Sequence, residues 1–488
     1  MKFNDDDSSN RCRIKPGVTG ILQVEPPRSM VVAVDTIVEH GTIYTSTRVT
    51  MSWRVEDVYS DRCVLITGST GFLGKVLVEK LLWALPNVGQ IFLLIRPAKG
   101  LSPKERLEKV LQDPLFNRLR EHKPQMFSKL VPIAGDLMEK NLGLNQHDMQ
   151  NICDQVSIVI HSAATVKFDE QLKDAVEMNV AGTTRLIALC HKMQKLIALV
   201  HVSTAYANCD RTEIEEKVYD PPVAPQKLME AVEWMNNDMI SLITPKLLGK
   251  RPNTYTLTKA LAETQLVEDA KQLPVIIIRP SIVGAMWKDP LPGWTDNING
   301  PTGIFAAVGK GVLTNMCGSA SSKADIIPVD IVANMIIVCA AHRAITMYDT
   351  IPVMHCASGD LNPLRWGRIV DFLEQFYHEL FNFDIRQLDW DSYLFDYVMG
   401  IKQYILKESL DNLHVARAKL TRMRIYRALM TAAFWYVAVN LLGFNNKKNR
   451  KWTAWLVGFS TTHVLMNYSF RPKIQLKSLE EYKKTTYR

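Results

Sequence analysis

The feature that most narrows the folds open to this chain is the stretch 63–96, CVLITGSTGFLGKVLVEKLLWALPNVGQIFLLIR. It opens on a short apolar run (Val64, Leu65, Ile66) of the kind that a parallel strand buried on both faces requires. A glycine-rich turn follows, Thr67-Gly68-Ser69-Thr70-Gly71-Phe72-Leu73-Gly74, and then a helical pattern (Leu77, Leu81, Leu82, Leu85) that stops at Pro86. A second apolar run, Ile91–Ile95, closes a βαβ unit. Gly68 and Gly71 permit the sharp turn and a close approach of backbone to a pyrophosphate, while Gly74 lets helix and strand pack tightly. Thr70, Phe72 and Leu73 stand at the start of that helix, where free N–H groups face the phosphates. Glycine spacing alone is a weak signal. Here strand, turn, helix and second strand all stand where a dinucleotide-binding unit needs them.

The end of the second strand selects the cofactor. An acidic residue there would hold the ribose 2′-OH of NAD, whereas an arginine accommodates the 2′-phosphate of NADP. This chain places Arg96 at that point, with Lys99 just beyond, so the reading is NADPH.

The 488 residues leave room for two or three domains and a large core. A net charge of +8 suits an anionic substrate or a membrane surface, and no basic block studded with aromatics points to nucleic acid. The eight cysteines are scattered singly without CxxC pairs, which argues against a metal site or a disulfide framework. Residues 1–57 begin with an acidic run (Asp5, Asp6, Asp7) and lack the apolar core of a signal peptide. Alternation at 30–34 and 42–49 suggests a hairpin there, without visible chemistry.

After Arg96, a charged helical stretch (103–119) leads into further strand-like runs. Residues 130–134 precede Gly135-Asp136, 156–160 precede His161-Ser162-Ala163-Ala164, 196–202 precede Ser203-Thr204, and 275–278 precede Arg279-Pro280-Ser281. Strands alternating with helices predict an α/β fold, a Rossmann-type doubly wound parallel sheet. Ligands in such sheets sit outside the carboxyl ends of the strands, where every one of these polar clusters falls. Asp136 then lies on the adenine side, and the small Ala163 and Ala164 let the cofactor pass closely.

The catalytic signal is Tyr255-Thr256-Leu257-Thr258-Lys259, whose i, i+4 spacing puts Tyr255 and Lys259 on one helix face. A phenol with a pKa near 10 is a poor acid–base group at pH 7, and a cation one turn away stabilises its phenolate. Lys259 also reaches toward the ribose of the cofactor. Thr204, with Ser203 beside it, can hydrogen-bond a substrate oxygen on which charge develops.

Taken together, TGSTGFLGKVLVEKLL, FLLIRP, AGDL, HSAATVKFDE, NVAGT, HVSTAYAN, YTLTKALAE, RPSIV and PVDIVAN resemble the alcohol-forming fatty acyl-coenzyme A reductases, within the extended short-chain dehydrogenases/reductases. The resemblance runs from residue 58 to about 357 and resumes at 380–408, like that family's carboxy-terminal domain. It implies that Gly68, Gly71, Gly74 and Arg96 hold NADPH and that Pro280 and Ser281 flank the nicotinamide. It also implies that Thr204, Tyr255 and Lys259 carry the chemistry, with Asn179 as a water-relay residue. The implied reaction reduces a long-chain acyl-coenzyme A twice, to aldehyde and then to fatty alcohol, with release of coenzyme A. A membrane-bound hydroxysteroid dehydrogenase or a sugar-nucleotide epimerase is the competing reading on the same scaffold. A non-catalytic NADPH-binding scaffold is another, though it has no need of the Tyr255/Lys259 pair. Two departures stand out: the family's long connector is nearly absent between His378 and Leu380, and residues 1–57 have no counterpart.

The chain thus divides into an extension (1–57), a reductase domain (58–360), a helical domain (361–424), two apolar runs (within 425–470) and a basic tail (471–488). The runs, 428–444 and 452–470, are 17 and 19 residues long, near the roughly 20 that span hydrocarbon. Trp435, Tyr436, Trp452 and Trp455 suit interfacial anchors, and basic residues flank both runs, so charge assigns no orientation. Two spans, one span or a pair of interfacial helices all fit, with buried core helices as the rival. The expectation is attachment to an endoplasmic reticulum or peroxisomal membrane, with the catalytic domain facing the cytosol.

Overall fold

The computed structural model describes residues 53–376 and 390–407, apart from 99, 311, 314–317 and 360, together with the backbone of Arg13–Ile14, Val31–Glu39 and Thr42–Thr50. Its centre is a seven-stranded sheet: β1 (Cys63–Thr67), β2 (Ile91–Ile95), β3 (Leu130–Ala134), β4 (Val156–His161), β5 (Ala198–Val202), β6 (Val275–Pro280) and β7 (Val353–Cys356). The spatial order is β7-β6-β5-β4-β1-β2-β3, and every pairing is parallel. This is the doubly wound Rossmann arrangement, and the strand order reverses between β1 and β4, where such sheets open a crevice. Val64, Leu65, Ile66, Ile158, Val159 and Ile160 are fully buried, as strands covered by helices on both faces must be. Register aligns Thr67, His161 and His201 in one row across β1, β4 and β5, so the loops that follow emerge side by side.

Five helices of this unit bear on the argument: α1 (Phe72–Ala84), α2 (Pro103–Leu111), α3 (Gly182–Cys190), α4 (Thr254–Asp269) and α5 (Val329–Ile345). The charged stretch at 103–119 is not one helix. α2 starts at a capping box between Ser102 and Glu105, and Pro114 then opens a 3₁₀ turn that leads into Asn117–His122. α4 is buried nearly all round, packed on α3 and its neighbours, which lets polar groups on its inner face meet the sheet. The alternation near the amino terminus forms an antiparallel pair, Val31–Glu39 with Thr42–Thr50.

The chain divides into two compact units, and the boundary is interleaved. Among the described residues, the sheet unit takes 53–283 and 325–363, while 284–324 groups with 364–376 and 390–407. Within the second unit, α6 (Trp390–Gly400) carries Tyr393, whose hydroxyl donates to Ala285 O at 2.9 Å, and Tyr397, whose hydroxyl meets Thr302 Oγ1. Phe305 packs edge-on against Tyr397 with ring centroids 5.1 Å apart. Each buried phenol has a partner for its hydroxyl, as burial demands. Among the described residues no helix is long and apolar enough to cross a membrane. The runs 428–444 and 452–470, the short join at 378–380 and the basic tail lie outside the described residues.

Candidate active site

The turn after β1 is shaped by what a side chain would strike. Gly68 has φ +75°, and a Cβ there would lie 2.8 Å from Ala163 N. At Gly74 a Cβ would lie 2.1 Å from Gly68 O, so only hydrogen fits between turn and helix. Gly71 caps α1 with no side-chain hydrogen bond, which leaves first-turn N–H groups aimed outward at the carboxyl edge of the sheet. Thr70, Phe72 and Leu73 are half-buried around this opening. The hydroxyls of Ser69 and Ser281 are buried without a protein partner among the described residues. Residue sizes, backbone donors and unpartnered hydroxyls all fit a dinucleotide held across the crevice.

Arg96 stands at the end of β2 as expected. It is 56% exposed, with Nη1 3.7 Å from Asp136 Oδ2. An exposed pair of this type is worth about 0.2–1 kcal/mol, so a phosphate can readily displace it. Asp136 serves chiefly its own turn, accepting from Met138 N at 3.1 Å. Lys99 lies outside the described residues.

Asn253 caps α4 by accepting from Thr256 N at 3.0 Å, which starts the helix one residue before Tyr255. β5 hands over to Ser203 and Thr204, whose turn is tied to the end of β6 by Ser203 N to Ile278 O and Ala205 N to Pro280 O, both 2.8 Å. Thr204 Oγ1 accepts from Tyr206 N at 3.2 Å. Burial pushes the Tyr255 phenol up to about 12, against which the nearby Thr204 side chain works. Lys259 Nζ donates to Val202 O at 2.8 Å, and burial brings its ammonium down to about 8, with Glu263 acting in the opposite sense. Thr204, Tyr255 and Lys259 are thus gathered at one point. An exposed aromatic, Phe168, faces the Tyr255 ring with centroids 6.0 Å apart.

Two expected residues have other engagements. Ser203 is buried, and its hydroxyl donates to Glu263 Oε1. Asn179 accepts from Thr165 N at 2.9 Å and donates to Thr165 O and Thr258 Oγ1, bracing the loop after β4 against α4. Ala163 N donates to Thr67 Oγ1 at 3.2 Å, and Ser281 N to Cys356 O at 2.9 Å, which holds Pro280 and Ser281 at the same sheet edge.

Glu263 and Arg279 escaped the reading from sequence. Arg279 bonds both oxygens of Glu263, at 2.8 and 2.6 Å, and its remaining N–H groups reach Glu215 O and Lys217 O. The available signal was spacing: Tyr255, Lys259 and Glu263 recur every fourth residue along one helix face.

A family model described as "Male sterility protein", covering an NAD-binding domain, matches residues 66–336, and its companion, described in the same words, matches 336–408. "Fatty acyl-CoA reductase 1" of Xenopus laevis is 36% identical over 480 residues, 79% of this chain and 93% of its own. The human protein of that name is 36% identical over 496 residues, with 79% and 96% covered. The chain belongs to the fatty acyl-CoA reductase family. "Fatty acyl-CoA reductase 2" of Mus musculus, 34% identical over 510 residues, spans 86% of this chain and 98% of its own, so the likeness extends well past the dinucleotide-binding domain. The terminal R domain of the myxalamid PKS-NRPS pathway matches in structure with a TM-score of 0.48 at 20% identity, over 70% of this chain and 79% of that one.

Proposed function

We propose that this chain reduces a long-chain acyl-CoA to the fatty alcohol, with NADPH as the reductant. The observation that carries the reading is the bond from Lys259 Nζ to Val202 O at the carboxyl end of β5, two residues before Thr204, with Tyr255 one helical turn away on the same face, in a member of this family. A nicotinamide held by the Gly68–Gly74 turn would supply the hydride for each of the two reductions. Thr204 and Tyr255 donate to the thioester carbonyl oxygen as it gains charge, at a site already shielded from water. Collapse of the resulting tetrahedral centre expels coenzyme A and leaves an aldehyde. The same two donors serve the aldehyde, and Tyr255 now gives its proton to the alkoxide. Lys259 makes that transfer affordable by stabilising the phenolate that remains. Arg96, exposed and only weakly paired, supports NADPH over NADH.

Membrane attachment through 428–444 and 452–470 belongs to the same proposal. It is supported by their length, their aromatic anchors and the partitioning of a long acyl chain into lipid. Both cofactor and coenzyme A are soluble anions, which favours a catalytic domain on the cytosolic side of an endoplasmic reticulum or peroxisomal membrane. The test is purified full-length protein with NADPH or NADH and a panel of acyl-CoA, steroid and sugar-nucleotide substrates. Fatty alcohol and free coenzyme A from the acyl-CoA alone are expected. Turnover of a steroid or sugar nucleotide without acyl-CoA reduction would overturn the proposal.

A further inference from the structure

Behind the Thr204–Tyr255–Lys259 group lies a buried polar network that the reaction as described does not use. Glu263 is fully buried on α4, one turn beyond Lys259. Its Oε1 accepts from Ser203 Oγ and from Arg279 Nε, and its Oε2 from Arg279 Nη2. Arg279, fully buried on β6, spends its other donors on Glu215 O at 3.1 Å and Lys217 O at 2.8 Å, with His355 Nε2 3.3 Å from Nη1. A charged pair at this depth is costly to bury and is not in itself a stabilising device. Its position explains its presence better. The carboxylate touches Ser203, the residue immediately before Thr204, and it stands on the same helix face as Tyr255 and Lys259.

We propose that Glu263 is a positioning residue of the reductase centre, fixing the Ser203–Thr204 turn through the Ser203 hydroxyl and presenting negative charge to Lys259. This rests on the reading of Tyr255 and Lys259 as the reacting groups. The strand end is held by Ser203 N and Ala205 N, by Lys259 Nζ on Val202 O, and by Tyr206 N on Thr204 Oγ1, and the Ser203 hydroxyl adds the tie to α4 through Glu263. Anchoring the Ser203 side chain to Glu263 fixes the turn that carries Thr204 relative to the helix that carries Tyr255. The electrostatic part follows from what faces Lys259. His161 and His201 on β4 and β5 are kept neutral by burial, with His161 brought down to about 3 and His201 well below its ordinary range. Both lie near the Lys259 charge without offering a counter-ion. Tyr255 on the same helix stays protonated at neutral pH. Glu263 is therefore the anion that favours the charged lysine, and Arg279 orients that carboxylate through both its oxygens.

The test compares pH profiles of acyl-CoA turnover in full-length protein. In the unaltered chain the alkaline limb is expected near pH 8, where Lys259 loses its proton. Glu263→Gln, which keeps the shape and one acceptor, is expected to move that limb to lower pH by about one unit and to lower kcat with little change in KM. Glu263→Asp is expected to bring the limb back. A folded Glu263→Gln protein with an unmoved limb would mark the network as structural only and overturn the proposal. Should Glu263→Gln fail to fold, Glu263→Gln/Arg279→Gln removes both buried charges and takes its place under the same criterion. Loss of folding in both variants would assign the network to the fold and overturn the proposal as well. Tyr255→Phe runs alongside: if it keeps normal turnover, the assignment of the centre fails instead, and the two failures are told apart.

Discussion

Replacing Lys259 by methionine should make the protein more stable and inactive at the same time. The ammonium is 3% exposed, and burial brings it from its ordinary 10.5 down to about 8. The folded state therefore binds this proton less tightly than the unfolded chain does. Below pH 8 both states are protonated and the folded state bears the whole cost, about 3.3 kcal/mol at pH 7 from a separation of about 2.5 pH units at 1.36 kcal/mol each. Between pH 8 and 10.5 the unfolded state still holds the proton that the folded state has released, so stability rises with pH and the cost fades to about 0.8 kcal/mol at pH 10. Methionine fills the same channel without charge, but it leaves Val202 O without its donor, which costs about 1 kcal/mol. The net gain at pH 7 is then about 2 kcal/mol, or about 3–4 °C in the transition of the sheet unit. Differential scanning calorimetry of both proteins at pH 7, 8, 9 and 10 reads it directly. The gap should shrink by about 2.5 kcal/mol across that range, while turnover is lost throughout. A stability gap that does not change with pH would refute the argument that a buried, charged lysine is held here against its solvation.

Other outcomes follow from the same geometry. Arg96→Glu should lose affinity for NADPH by at least about tenfold while NADH binding is little affected, since one charge-assisted contact of about 1.5–3 kcal/mol is replaced by repulsion; cofactor titration by fluorescence checks it. Gly74→Ala should abolish dinucleotide binding and lower the thermal midpoint, because the new methyl meets backbone at 2.1 Å and nothing flexible can yield; an unaltered titration would contradict that reading of the turn. Tyr255→Phe should bind cofactor normally and turn over at least about 10²-fold more slowly, measured under saturating acyl-CoA. The full chain should pellet with membranes and resist alkaline carbonate, whereas a chain ending near residue 420 should be released; full-length protein in the high-speed supernatant without detergent would count against the anchor.

What was legible in the sequence is what neighbours in the chain enforce on one another. The strands β1 to β6 announce themselves because strands covered on both faces read as near-continuous apolar runs, their few polar members falling mostly toward the carboxyl ends. The glycine turn is equally local: Gly68, Gly71 and Gly74 are placed by a reversal only a few residues long. Tyr255 and Lys259 share a helix face by spacing alone, and Thr204 ends a strand that could be counted. β7, Val353–Cys356, was not marked, since an edge strand reading VMHC lacks that apolar signature.

Tertiary structure decided the pairings between elements. Nothing local tells that Ser203 turns inward to Glu263, that Arg279 reaches back from β6 to the same carboxylate, or that Asn179 braces Thr165. Nor does local sequence tell that 284–324 groups with 364–376 and 390–407. The physical reason is the same in each case. A polar side chain in a strand-end loop or on a buried helix has several hydrogen-bonding groups within its sequence reach, all of similar energy. Which one it takes depends on which strands lie side by side, and burial then makes that choice binding, because an unpaired donor or charge at that depth costs more than any local alternative returns.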